Sequence, residues 1–331
     1  MGSLLSAVVG QAPAVDTLRR ALASARVHHA YLFDGPDGVG KELTAFGLAQ
    51  ALVCERRAVG QSEACGACRA CVRAVPRPEE RRPVHPDVVV LERGLYDPAA
   101  LGRRTPETQD LSIDQVRVLV LARAAFPPHE GRAKVFIVRR AEELSVSAAN
   151  ALLKTLEEPG DRTHFVLLSS VPDALLPTIR SRTLRVRFGA LADETIAALL
   201  HARGVADPEA IAQLAAGSMA TALVASDPEA SARREEFVSR ALASLDGRTL
   251  GAALELAEEA KKLTKEALTA QLEAFAQALG AQARSSATAP GRAAETAAVR
   301  HALALAAVRE LEGNASAQLA FEAMMIKMRS A

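Results

Sequence analysis

A glycine-rich segment near the amino terminus has the residue types of a phosphate-binding loop. Gly35, Gly38 and Gly40 lead into Lys41 between a strand-like run and a helical segment. In such loops backbone N–H groups and the helix N-terminus bind phosphate, and the lysine reaches the terminal phosphates. The next position, where a Ser or Thr hydroxyl would bind Mg²⁺, holds Glu42. We predict a loop of this ancestry, which either still binds ATP or only keeps its glycines as a strand-to-helix turn.

A second strand-like run, 134–138, is followed by Arg139 and Arg140. In a nucleotide hydrolase of this architecture, an Asp in this region holds Mg²⁺. Arginine keeps its proton, so it neither binds a metal cation nor acts as a base. We therefore expect no ATP hydrolysis in the chain's own site. Two alternatives stay open: Arg139 contacts phosphate directly, or the strand end lies closer to Glu142 and Glu143.

All four cysteines lie in one short segment, at positions Cys54, Cys65, Cys68 and Cys71. Four thiolates close a tetrahedral shell around Zn²⁺, and in a reducing cytoplasm such clustering favours a metal site over disulfides. We predict a structural Zn²⁺ site without a catalytic role, because a closed shell leaves no coordination position open. The alternative is a group of buried free cysteines.

Arg182, between Ser181 and Thr183, is a weaker candidate when taken alone. It is either a solvated surface charge or an arginine finger, which stabilises negative charge on a phosphate bound by a neighbouring subunit.

The order of apolar runs indicates how these residues are positioned. Up to residue 188, short apolar runs alternate with helical segments, which predicts a parallel α/β sheet with helices on both faces. Residues 189–227 are expected to form a small three-helix module, and the rest is entirely helical. The predicted strands cover 31–34, 87–91, 134–138, 164–168 and 184–188. The predicted C-terminal helices cover 233–245, 250–283, 293–311 and 317–328, with a loop at 285–291.

The composition excludes several classes of protein. A length of 331 residues allows two or three domains, and 49% hydrophobic with 24% charged residues is typical of globular proteins. A net charge of +1 argues against a wholly basic nucleic-acid-binding surface, and 3% aromatic residues argue against base-stacking platforms. We expect a cytoplasmic protein, since neither an export signal nor an apolar run of membrane-spanning length is present.

Taken in order, these segments resemble the delta-prime family of bacterial DNA polymerase III clamp-loader subunits, which are AAA+ proteins. The resemblance covers essentially the whole chain, and the cysteine spacing is similar to the zinc module of that family. The other segments that carry it are 9–11, 29–33, 152–159, 165–170 and 176–182.

The departures from the ATP-hydrolysing gamma/tau subunits matter most for function. Those subunits carry a Lys-Thr or Lys-Ser loop and an acidic strand end, where this chain has Glu42 and Arg139. Thr221 takes the place of their second-sensor arginine. The resemblance therefore implies a stator without intrinsic catalysis, a component of the DNA polymerase III holoenzyme in which Arg182 completes the ATP site of a neighbouring subunit.

The resemblance also implies an architecture: an AAA+ core at 1–188 with a zinc module at 54–71, a helical lid at 189–227 and a helical collar at 228–331. The implied partners are gamma/tau and delta subunits in a heteromeric ring, the sliding clamp, and primer-template DNA through the complex. Two other hypotheses are an ATP-hydrolysing motor subunit and a zinc-containing DNA-binding module using the arginines at 56–104. The C-terminal region could also be an independent helical bundle.

Overall fold

In the computed structural model the chain divides into two compact units, residues 1–223 and 224–331. Buried apolar clusters give each unit its own core. Among the helices that the structure describes, none is both long and apolar enough to cross a membrane. The described residues are 2–77, 79–104, 110–130, 132–246, 251–263, 265–286, 292–312 and 316–330.

The first unit is built on a five-stranded parallel sheet with the strand order β2-β3-β4-β1-β5. Nearly every position of the first four strands is buried, which explains their apolar runs without alternation. The prediction of a parallel α/β sheet is confirmed. The strands are β1 Ala30–Asp34, β2 Val88–Leu91, β3 Lys134–Val138, β4 Thr163–Ser169 and β5 Leu184–Arg187.

Helices cover both faces of this sheet. One apolar cluster contains Leu18 and Leu48, and the other contains Leu152 and Ile179. The helices of this layered part are α1 Leu4–Ala7, α2 Ala12–Ala23, α3 Lys41–Val53, α4 Arg69–Arg73, α5 Ile113–Val116, α6 Ala122–Ala124, α7 Val146–Glu157 and α8 Pro177–Arg180. A π-helical turn, Arg117–Leu121, joins α5 to α6, and 3₁₀ turns span Pro98–Leu101, Ala141–Glu143 and Pro172–Ala174.

Three short helices follow the sheet and bury a small apolar cluster of their own, which includes Ile196, Leu200 and Ala212. The backbone N–H of Leu191 donates to the carbonyl of Gly217 at 2.9 Å, which joins the segment before the first of these helices to the segment before the third. The helices are α9 Asp193–His201, α10 Pro208–Leu214 and α11 Met219–Ala225.

The second unit is entirely helical around buried Phe237, Phe275 and Phe321. The prediction of one helix over 250–283 was wrong. The backbone N–H groups of Lys262 and Leu263 donate to the carbonyls of Glu259 and Ala260, respectively, and these turns end a first helix at Ala260. The sequence gives no Gly or Pro at this break. The predicted loop at 285–291 falls largely outside the described residues. The helices are α12 Pro228–Asp246, α13 Gly251–Ala260, α14 Lys265–Ser286, α15 Arg292–Glu312 and α16 Ala317–Ser330.

Candidate functional site

A cavity of about 580 Å³ lies at the carboxyl edge of the sheet. Its walls come from the loop after β1, the ends of β3 and β4, residues 7–9, and the helices α9 and α11. Ligands of open parallel sheets bind in this position, because the loops that follow adjacent strands converge there. The predicted phosphate loop therefore lies where a nucleotide site would be expected.

Gly38 has two structural reasons to be glycine. Its φ of +76° lies in the left-handed region, and a Cβ at this position would come within 2.7 Å of the Ala220 methyl carbon and collide with the Ser218 hydroxyl. The Gly38 carbonyl also accepts a 3.0 Å hydrogen bond from the backbone N–H of Met219. The start of α11 therefore packs directly on the phosphate loop.

Lys41 is turned toward its own loop. The residue is only 7% exposed, and Nζ donates to the carbonyl oxygens of Gly35 and of Pro36, the latter at 2.7 Å. It also donates to the Asp37 carboxylate at 3.3 Å. An ammonium group has three donors, so the loop itself satisfies all of them.

The two residues that depart from the hydrolase pattern contact each other. β3 ends at Val138, so Arg139 follows the strand directly, and its Nη2 donates to Glu42 Oε1. Its Nη1 donates at 2.6 Å to Glu92, the residue that follows β2. Burial disfavours the charge of Arg139, but the two carboxylates outweigh this and raise the guanidinium pKa. An internal cation thus neutralises carboxylates at the loop edge.

This arrangement bears on both alternatives for the end of β3. The Nη groups of Arg139 are held by carboxylates, which argues against direct phosphate contact. Glu142 lies in the 3₁₀ turn Ala141–Glu143 rather than at the strand end, and it accepts 3.0 Å and 3.3 Å hydrogen bonds from the hydroxyl and N–H of Ser170. The interpretation of a displaced strand end was wrong.

Sequence patterns assigned no role to two residues at this edge, Arg203 and Gln11. Arg203 lies in the turn after α9 and lines the cavity. Thr221, which the resemblance placed at the second-sensor position, is exposed and is not part of that lining. Gln11 is buried and bridges the loop to the segment after β5: Nε2 donates to Val39 O at 3.2 Å and to Gly189 O at 2.7 Å. Only the resemblance of segment 9–11 had singled out Gln11, without a role.

The four predicted ligand cysteines come together beside the C-terminus of α3, their Sγ atoms all within 4.8 Å of one another. Three of these sulfurs accept backbone N–H bonds of 3.3–3.5 Å, from Cys65 to Cys54, from Cys68 to Cys65 and from Cys71 to Cys68. At Cys65 the bond from the Cys68 N–H favours the thiolate.

The pKa values at this cluster differ with the surroundings of each thiol. The Ala67 N–H has the largest part in lowering the pKa of Cys65 to about 6, whereas burial raises that of Cys71. Sulfurs around one tetrahedral Zn²⁺ at 2.3 Å would lie about 3.8 Å apart, a small contraction of the observed group. The donor set fits a four-coordinate metal that prefers thiolates.

Arg182 lies at the opposite, amino edge of the sheet. It precedes β5 just as His29 precedes β1, and these two strands are parallel neighbours. β1 separates this edge from the phosphate loop by about 13 Å, since a strand rises about 3.3 Å per residue. A separate cavity of about 410 Å³ lies here, lined by Arg182, His28, His29 and the end of α7. Arg182 therefore cannot serve this chain's own loop.

Most arginines of the predicted basic segment bind within the fold. Arg57 donates to three backbone carbonyls, and Arg73 pairs with Glu130 at 2.7 Å. Arg81 pairs with Glu92. Such internal pairing weakens the hypothesis that this segment is a DNA-binding surface.

A parallel sheet with a phosphate loop after β1, an internal strand, places the first unit in the class of P-loop α/β proteins. The family model described as "DNA polymerase III, delta subunit" matches residues 10–192. The chain belongs to this family, and it is thus a member of the clamp-loader group of DNA polymerase III subunits.

Curated relatives carry two different subunit names. The chain is 40% identical over 159 residues to DNA polymerase III subunit delta' of Pseudomonas aeruginosa, covering 47% of this chain and 42% of that one. It is 38% identical over 193 residues to subunit gamma/tau of Mycobacterium tuberculosis H37Rv, covering 58% and 30%. It is 34% identical over 248 residues to subunit tau of Escherichia coli, an alignment that covers 72% of this chain and 35% of the relative. The chain thus spans less than half of each relative.

A solved structure supports the fold at low sequence identity. The gamma subunit-related protein of Thermotoga maritima is 18% identical, with a TM-score of 0.53 over 95% of this chain and 98% of that one. Since subunits of two kinds match the sequence, similarity alone does not show whether the chain is a delta' or a gamma/tau subunit.

Proposed function

We propose that this chain is a delta-prime-type stator subunit of the clamp loader. In this role it hydrolyses no ATP itself and supplies Arg182 to ATP bound by a neighbouring gamma/tau subunit. The observation that carries the proposal is the position of Arg182 at the sheet edge opposite to the phosphate loop. From there a guanidinium acts only on a nucleotide held by another chain.

The state of the chain's own loop supports the same role. Hydrolysis of ATP needs Mg²⁺, held in P-loop enzymes by a hydroxyl after the lysine and a carboxylate at the strand end. Here those two positions hold Glu42 and Arg139, which pair with each other. Gly35, Gly38, Gly40 and Lys41 keep the loop conformation, while ATP binding there is disfavoured by the Glu42 carboxylate and by the internal bonds of Lys41.

The wider assignment follows from this role. The AAA+ core would cover 1–188, the lid 189–227 and the collar 228–331, with gamma/tau and delta subunits as ring partners. The sliding clamp and primer-template DNA would be contacted through the complete ring. We place this activity in the bacterial cytoplasm.

The decisive experiment compares two neighbouring arginines in a reconstituted ring. Arg182→Ala is expected to reduce ATP hydrolysis by about 10³-fold or more at the single site it serves, and the total rate in part, because other sites continue. The matched control is Arg180→Ala, since Arg180 pairs with Asp173 on the same short segment. Equal rates for both variants, with assembly intact, would refute the stator role.

We propose that the four cysteines bind one structural Zn²⁺. Metal analysis of protein purified without chelator is expected to give about one zinc per chain, since one shell needs all four thiolates. Cys68→Ser is expected to abolish stoichiometric zinc. A zinc-free protein with unchanged thermal stability would contradict this assignment.

A further inference from the structure

We propose that Glu157 is a positioning residue for Arg182, which holds the guanidinium ready for the phosphate of the neighbouring subunit. This inference rests on the proposed function, because it assigns the support of the same arginine. Glu157 is the last residue of α7, and Arg182 lies just beyond α8, so two packed elements meet at this point.

The contacts of the guanidinium define its orientation from two sides. Arg182 Nε donates to Glu157 Oε1 at 2.7 Å, and Nη2 lies within ion-pair distance of the same oxygen. On the other side Nη1 donates to the carbonyl of Thr178 at 2.9 Å. Nη2 has two N–H groups, and one of them is left for an incoming anion.

The elements that carry these contacts are anchored in the core. Leu156, next to Glu157, is fully buried, and Ile179, next to Thr178, is 1% exposed. Both side chains belong to the same apolar cluster below the sheet. A guanidinium held from two such rigid positions loses little freedom when it binds a phosphate, which is what a catalytic contact in trans requires.

Glu157 is also at an unfavourable place in its helix. The C-terminus of a helix carries a partial negative charge, so an acidic side chain in the last turn is disfavoured there. The bonds to Arg182 compensate for this, whereas helix stability alone gives no reason for a glutamate. A residue that violates a local preference and contacts a functional group is a candidate for a functional role.

The adjacent Glu158 provides a matched control. It is exposed and follows the end of α7, and among the described contacts its side chain makes none with Arg182. Removing either glutamate changes the net charge of the subunit by the same amount. A difference between the two variants therefore reports the contact with Arg182 and not the general electrostatic field.

The test measures kcat and KM for ATP hydrolysis by the reconstituted ring with five versions of this subunit: Glu157→Ala, Glu157→Gln, Glu158→Ala, Arg182→Ala and the double variant Glu157→Ala/Arg182→Ala. We expect Glu157→Ala to lower kcat with little change in KM, by about half or more of the decrease caused by Arg182→Ala. Glu157→Gln should recover most of this loss, because its amide oxygen still accepts from Nε. The double variant should fall no further than Arg182→Ala.

Each other outcome has a definite meaning. If Glu157→Ala matches Glu158→Ala while Arg182→Ala lowers kcat, the positioning role is wrong and the stator role stands. If Arg182→Ala itself leaves kcat unchanged, the proposed function fails, and this inference with it. Ring assembly and thermal unfolding of each variant identify any loss that comes from misfolding, and the Gln variant then carries the comparison.

Discussion

Arginine–glutamate pairs occur at both edges of the sheet, and their surroundings differ. At the carboxyl edge Arg139 is 12% exposed and pairs with Glu42 and Glu92. At the amino edge Arg182 is 34% exposed, and among the described residues it pairs with one carboxylate, that of Glu157. A more buried guanidinium with two carboxylates is locked into the fold, since removing either partner leaves uncompensated charge. A more exposed guanidinium with a single carboxylate contributes little to folding stability and remains accessible to a further partner.

The difference shows why charge alone does not identify a phosphate-binding arginine. Arg139 lies next to a phosphate loop, yet it is mostly buried and both of its Nη groups are paired with carboxylates of the chain. Arg182 lies far from that loop, but it is more exposed and lines a separate cavity. The proposed role of Arg182 therefore depends on the exposure of its guanidinium and on its edge of the sheet, not on its distance from the glycine-rich motif.

The largest effect is expected from removing each arginine in turn and measuring stability. Arg139→Ala leaves Glu42 without its cation, while Glu92 still pairs with Arg81. The change should lower the unfolding free energy of the first unit by about 2 kcal/mol. Arg182→Ala should cost less than about 1 kcal/mol, as for other surface pairs. Denaturant unfolding monitored on the first unit measures both. Equal losses would remove the distinction between the two edges.

A smaller loss of stability is expected from Gly38→Ala, which tests the packing of α11 against the phosphate loop. The φ of +76° and the contact with Ala220 both oppose a Cβ. We expect a loss of about 1–2 kcal/mol. Gly60→Ala is the control, because Gly60 has a similar φ of +87° but no atom within 4 Å of a new Cβ. If both variants lose the same stability, packing of α11 on the loop contributes nothing.

The smallest effect concerns pH, and it belongs to the amino edge. Burial lowers the pKa of His29 and His164 below the ordinary value of 6.5. As pH falls below 6.5 the unfolded chain binds more protons than the folded one, so stability decreases until the folded-state pKa values are passed. His164→Gln should flatten the dependence of unfolding free energy on pH between 7 and 5. A pH dependence that is the same in His164→Gln and in the unaltered protein would contradict this expectation.

The parts of this molecule that the sequence predicted are those with local patterns. Most strands appear as apolar runs because both faces of the sheet are covered. The loop glycines lie at 35–40 and the four cysteines at 54–71, each group within one short segment. The residues of each motif are close in sequence, so short loops are enough to bring them together in the fold.

Contacts between distant residues were not predictable from one sequence. Glu42 and Arg139 are 97 positions apart, and they meet because the sheet order brings the ends of β1 and β3 to the same edge. Glu157 and Arg182 meet because α7 and α8 pack on one core. Arg203 lies in a turn without a motif, so only the packing of α9 revealed it.

The pairing of Glu42 with Arg139 also constrains how this site can change over generations. Arg139→Asp alone would gather three carboxylates, and Glu42→Thr alone would leave the guanidinium with one of its two carboxylate partners. Coupled residues of this kind give non-additive effects. Either first step toward metal binding therefore lowers stability before any catalytic gain exists. A lineage that has acquired this pair is therefore expected to keep both residues or to change both together.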